Sequence, residues 1–340
     1  MTNSNLATRW LGNSVQRRTL LTGAVVATLA LGLNACSGSA ASAPTEETIT
    51  EKIKISQATP LDFGPVWVAV EEGFFKDEGL DVELAKPIGT GAESIAMINS
   101  GQVDLIAGSP SAMLSAASQG LKTVSVVGLS AFPSSEDEDP AALLVDEDSD
   151  IQSLSDLSGK TIGVTSIKSQ QESKVAMSID AAGGDASTVE FIQVPPASMP
   201  GLIKSGEIDA AQPFEPGVTK ALNEGGVRAV GYANWQVLGD APAMVLATTP
   251  EWKEQNAAKA KKVAKAIARA VSFINDEANA DRFHEIAGKY TETDPEILSR
   301  ARMDTFTSEV SADGFQKLQQ HLLDYGILSS EVDVTELIGD

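Results

Sequence analysis

The 340 residues carry 47 acidic against 25 basic side chains, a formal net charge of −22, with two histidines and one cysteine. So acidic a chain excludes nucleic acid as a partner, and a single cysteine excludes a disulfide framework and a cysteine-rich zinc site. The length allows two modest lobes or one large domain.

Arg17 and Arg18 precede an uncharged apolar run from Leu20 to Leu33 that is broken by Gly23 and Gly32 and too short to span a bilayer, so residues 1–35 read as a signal peptide. The arginine pair with Thr19, Leu20 and Leu21 resembles the twin-arginine export signal, although an ordinary secretory leader carries the same charge. Leu33-Asn34-Ala35-Cys36 resembles the bacterial lipobox, which implies acylation of Cys36 and anchoring to the outer face of the cell membrane, with residues 36–51 as a Ser/Ala-rich tether. The leader holds three arginines and no acid, so its removal takes the formal charge from −22 to −25. No later run approaches membrane length.

The body opens with a strand over Ile53 to Ser56, an amphipathic helix around Pro65 to Lys76 and a strand over Leu80 to Leu84. Then comes Met97-Ile98-Asn99-Ser100-Gly101-Gln102-Val103-Asp104, a helix stopped by glycine that turns into a strand over Val103 to Ala107. The same order recurs: strand Thr161 to Val164, helix around Gln170 to Ala182, strand Val189 to Val194, then Leu202-Ile203-Lys204-Ser205-Gly206-Glu207-Ile208-Asp209 and a strand over Ile208 to Gln212. Two successive βαβαβ units are therefore expected. Between them lies the passage from Phe132 to Pro140, followed by a strand over Ala141 to Val145; after the second lies Asp240-Ala241-Pro242, followed by a strand over Ala243 to Ala247. These are read as crossings between two lobes that double as a hinge: residues 52–140 with 243–340 form the first lobe and 141–242 the second. Helices are expected over Glu254 to Asn275, Ala280 to Tyr290, Pro295 to Met303 and Ala312 to Tyr325.

Gly73-Phe74-Phe75-Lys76-Asp77-Glu78-Gly79-Leu80-Asp81-Val82, the repeated Ser-Gly-x-x-Asp element, and the stretch from Leu154 through Lys160 to Val164 resemble the substrate-binding proteins of the nitrate, taurine, alkanesulfonate and thiamine-precursor ABC importers. The resemblance runs from about Lys52 to about Ala287. It implies an α/β, two-lobed type II periplasmic-binding-protein fold, a small molecule held between the lobes of a monomer, and a permease with its ATPase as partners. It implies no cofactor.

In open α/β sheets ligands bind beyond the carboxyl ends of strands, where helix N-termini present free N–H groups. On the first lobe that rule nominates Gln57, Asp62, Phe63 and Trp67; the glycine turn at 89–94 with Gly91, Ala92, Glu93 and Ser94; and Ser109 with Ser111. The turn also reads as a plain capping box on Thr90 and Glu93, and no GKT or GKS follows it as a phosphate loop would require. On the second lobe the rule nominates Thr165, Ser166 and Lys168, then Phe214 and Glu215, then Trp235. Hydroxyls and Lys168 suit an oxyanion such as a sulfonate; the aromatics and Glu215 suit a planar heterocycle or an N–H donor. Neither His284 nor His321 has a metal-type spacing, and no metal site is expected. The expected function is an exported solute-binding lipoprotein serving an importer. The alternative is a secreted enzyme of related fold acting on a pyrimidine-like molecule, using carboxylates alone.

Overall fold

The computed structural model describes residues 50–339 apart from 59 and 87–90; the leader, Cys36, the tether and the Gly89–Thr90 part of the glycine turn lie outside the described residues. Eleven strands form two mixed sheets: β1 Glu51–Ser56, β2 Leu80–Ala85, β3 Leu105–Gly108, β4 Val124–Ala131, β5 Ala142–Asp146, β6 Thr161–Val164, β7 Glu190–Gln193, β8 Ala210–Ala211, β9 Val227–Tyr232, β10 Pro242–Thr248 and β11 Thr305–Phe306. The first sheet has the order β11-β4-β10-β3-β1-β2 and the second β7-β6-β8-β5-β9.

The two sheets share one plan. In each, a strand is flanked by two parallel partners, β1 by β2 and β3, β6 by β7 and β8. In each, one antiparallel strand sits next to the third: β10 beside β3 and β5 beside β8. β5 and β10 are the strands entered directly after the two crossings, so each sheet is completed by a strand delivered from the other.

The repeated Ser-Gly-x-x-Asp element explains how both units close. Gly101 (φ 70°) and Gly206 (φ 73°) take the left-handed conformation that ends a helix, which glycine adopts without a Cβ penalty. Three residues on, Asp104 donates its N–H to Lys54 O at 2.8 Å and accepts Lys54 N–H on its carboxylate at 2.7 Å. Asp209 does the same with Thr161, at 3.0 and 2.8 Å. One aspartate per unit thus ties the turn to the unit's first strand.

Alternation places Ile53 and Ile55 of β1 in the core while Lys52 stays exposed. The helix Ala257–Ile274 buries Ala260, Val263, Ile267 and Val271 at helical spacing and turns its lysines outward. Apolar clusters line both faces of each sheet, those of the first built around Trp67 and Ile267 on one face and Met113 and Phe315 on the other.

Three expected elements differ. The first helix divides into Gly64–Glu71 and Phe74–Asp77, because Gly73 sits at φ 75° between them. The helix expected from Glu254 is already under way at Pro250, capped by Thr249 Oγ1, and breaks at Asn256 before resuming at Ala257. The helix from Pro295 stops at Leu298, freeing Thr305–Phe306 to add to the sheet edge as β11 against Ser130 and Ala131.

Candidate functional site

The two crossings are bonded to one another. Phe132 N–H donates to Ala241 O (2.9 Å), Asp240 N–H to Phe132 O (3.0 Å) and Ala233 N–H to Ala141 O (3.1 Å). At their centre Asp139, fully buried, accepts the N–H groups of Ala141 (2.8 Å), Asn234 (2.7 Å) and Trp235 (2.9 Å). One carboxylate therefore joins the end of the first crossing to the start of the return.

Above this floor a cleft of about 520 Å³, including space open to solvent, is walled by segments that adjoin both sheets. Its walls are Pro60 to Asp62 after β1, Pro140 and Ala141 of the crossing, Gln212 to Glu215 after β8, Asn234 on the return, and Arg302 to Asp304 before β11. Lys174, one turn into the helix Gln170–Ala181, completes the wall.

The electrostatics centre on Lys174 and two carboxyls. Lys174 is buried, with Nζ 4.5 Å from the centroid of the Phe132 ring. Burial lowers its pKa, opposed by Asp304, Asp139 and Asp62. Asp62 accepts Ser130 Oγ at 2.9 Å and lies within hydrogen-bonding reach of Asp304. Burial, reinforced by the Asp62 charge, holds the Asp304 carboxyl well above the usual range, which favours its protonated form. Asp304 Oδ1, Gln212 Oε1 and Asn234 Oδ1 are buried without a hydrogen-bond partner. Gln212 is fixed on its other side, where Nε2 donates to Ala141 O at 3.2 Å. Arg302 is already engaged, 4.3 Å above the Tyr232 ring and donating to Glu136 O at 2.9 Å.

Glu215 lines the cleft but is turned to its own helix: it accepts Thr219 N–H (3.0 Å) and Thr219 Oγ1 (2.9 Å). Burial still lifts its pKa to about 6. Beside it Phe214 is 41% exposed, a free aromatic face on the rim.

Of the residues nominated from strand ends, Asp62, Phe214 and Glu215 come together in this cleft. Phe63 and Trp67 lie in the core behind the first sheet, Trp67 stacked on Tyr290 at 5.2 Å, because residues 63–69 are buried throughout. Ser109 and Ser111 reach across to the start of the helix Gln170–Ala181, both donating to Gln170 Oε1 (3.1 and 3.2 Å). Thr165 gives its N–H and hydroxyl to Gln171 Oε1, whose amide in turn donates to Gln212 O at 2.5 Å; these groups buttress the wall. Ser166 accepts the Ser169 hydroxyl on its carbonyl. Lys168 is exposed at φ 54°, with its N–H on Glu172. Gln57 is half-buried after β1, and Trp235 serves through its backbone N–H on Asp139. Gly91, Ala92 and Glu93 are exposed at a helix start and Ser94 is buried there; a Cβ at Gly91 would meet Ala112 Cβ at 2.8 Å, so this glycine permits helix contact. Sequence reasoning did not single out Lys174, Gln212, Asn234, Arg302 or Asp304. Among the described residues no group of His, Cys, Asp and Glu is arranged to hold a metal ion.

Two sheets of one plan, joined by paired crossings with a cleft between them, are the architecture of the periplasmic-binding-protein fold. The chain belongs to the NMT1/THI5-like family, whose model matches residues 61–280. It is 24% identical over 264 residues to the "Putative binding protein YtlA" of Bacillus subtilis, covering 74% of this chain and 75% of that one. It is 31% identical over 145 residues to the formylaminopyrimidine-binding protein of Halalkalibacterium halodurans, 43% of this chain and 41% of that one. In structure it matches the periplasmic aliphatic sulphonate binding protein SsuA of Escherichia coli with a TM-score of 0.72 at 18% identity, over 85% of this chain and 97% of that one.

Proposed function

We propose that this chain is the receptor of an ABC importer, anchored outside the cell membrane through lipid on Cys36, and that it holds one small solute in the cleft between its lobes for transfer to a permease. The observation that carries the reading is a cleft walled by segments that adjoin both sheets, over two mutually bonded crossings, where closure needs only a few backbone torsions to change. The anchor is supported by the lipobox-like Leu33-Asn34-Ala35-Cys36. A receptor rather than an enzyme is favoured by the cleft's contents: its ionisable groups face one another or are tied to backbone, and no nucleophile stands beside a free base.

A thermal-shift screen of small solutes tests the function, since a solute that binds only the folded state raises the melting temperature by mass action. Mass spectrometry should recover the binder chemically unchanged; turnover above the buffer control would establish the enzyme alternative instead. For the anchor, Cys36→Ala should release the protein from the membrane fraction, and unchanged fractionation with unchanged mass would refute lipidation.

A further inference from the structure

We infer that the cleft takes a compact solute bearing a positively charged nitrogen group, an ammonium or amidinium, seated against the Asp62 and Asp304 carboxyls and Gln212. This rests on the reading of the cleft as the solute site.

The cleft offers acceptors in excess. Asp304 and Gln212, 8% and 1% exposed, each present a buried oxygen with no hydrogen-bond partner, and both line the same space. An unpaired buried acceptor costs free energy that a donor recovers when it arrives. Of the donors present, Gln212 Nε2 is committed to Ala141 O, Gln171 Nε2 to Gln212 O and Arg302 Nη1 to Glu136 O, while Lys174 Nζ stands over the Phe132 ring.

Charge points the same way. The groups facing the cluster from each packed element are Asp62 after β1, Asp139 on the first crossing, Glu215 after β8, Arg302 and Asp304 before β11, Lys174 on the helix Gln170–Ala181 and His321 on the helix Ala312–Asp324. His321 is held neutral by burial and by Lys174. Four carboxyls, Asp62, Asp139, Glu215 and Asp304, thus face Lys174 and Arg302, and burial favours the protonated forms of Asp62 and Asp304. A cationic donor can take a proton's place there, whereas an oxyanion would meet carboxylates with only Lys174 and Arg302, the latter already stacked on Tyr232 and bonded to Glu136 O, in compensation. Lys174 shows the environment: its amine lies over an aromatic ring, with three carboxyls near enough to oppose the lowering of its pKa by burial, and Phe214 provides a second, exposed ring on the rim.

The test is calorimetric titration of the protein at pH 6 with benzamidine, benzamide and benzenesulfonate, which share one ring and differ in charge. Benzamidine should bind at least roughly tenfold more tightly than benzamide, with no binding of benzenesulfonate. Repeating the titration in buffers of different ionisation enthalpy should show proton release on benzamidine binding. Asp304→Asn should abolish the release, with Asp62→Asn as the second variant if that one melts early. Absence of benzamidine binding, benzamide or benzenesulfonate binding as tightly, or benzamidine binding without proton release would each overturn the inference. Scattering on the same samples separates the two readings. A neutral or anionic probe that binds and compacts the protein leaves the receptor standing and removes the charge preference; benzamidine binding that survives filling the cleft with Ala141→Trp removes the receptor reading itself.

Discussion

Replacing Asp139 by Ala removes the one carboxylate that joins the outgoing crossing to the return. The side chain is fully buried and accepts three backbone N–H groups at 2.7–2.9 Å, two from residues 234 and 235 and one from 141. A hydrogen bond to a charged group contributes about 1.5–3 kcal/mol, and stranding several buried donors at once is less than additive, so the expected loss is roughly 3–5 kcal/mol. Asp139→Asn keeps one acceptor oxygen but brings an NH₂ among donors, and should lose about half as much. Urea unfolding followed by tryptophan fluorescence is the assay, with Trp235 next to the affected contact. A loss for Asp139→Ala below about 1 kcal/mol would refute the argument that this carboxylate holds the crossings together.

Trp67→Ala should cost about 3–5 kcal/mol by leaving a core cavity beside Tyr290 while leaving solute affinity intact; calorimetry showing weakened binding in a folded variant would put Trp67 in the site after all. His321 is buried, which lowers its pKa from 6.5 to about 4, so its contribution is fully present above pH 6.5 and is lost as pH falls towards 4. That amounts to at most about 3 kcal/mol, and His321→Leu should flatten the difference between urea midpoints at pH 7 and pH 4.5; an unchanged difference would contradict the assignment. Glu215 works in the opposite sense: burial raises its pKa from 4.5 to about 6, so the folded state keeps a proton and stability declines as pH rises from 4.5 through 6. Glu215→Gln should remove roughly 2 kcal/mol of that decline, measured by the same pair of midpoints bracketing pH 5, and an undiminished decline would be evidence against it.

The doubled plan of the fold was legible because it rests on local chemistry: a glycine ending a helix and an aspartate three residues later returning to the first strand, in both units. The walls of the cleft were legible only where they follow a predicted strand directly, as Asp62, Phe214 and Glu215 do. Lys174 was hidden by periodicity. Gln171, Lys174 and Ser178 share a helix face that reads as solvent-facing, yet all three are buried, since this helix packs on both sides. Asp139 closes an acidic run whose other members, Glu136 to Glu138, are exposed, and nothing in the run marks the one that turns inward. Asp304 and Arg302 depend on β11, a two-residue edge strand with no pattern of its own. Phe63 and Trp67 were misleading for the reverse reason: they follow a strand end, but the helix they begin is buried on every side.

The most direct test of the central claim is the radius of gyration from X-ray scattering, measured while titrating a solute that raises the melting temperature. A solute held between the lobes should shrink the protein at one solute per chain. Ala141→Trp, which fills the cleft floor at a residue 8% exposed, should abolish both binding and shrinkage while the protein stays folded. Full-affinity binding to that folded variant, or saturation with no change in radius, would contradict a site between the lobes.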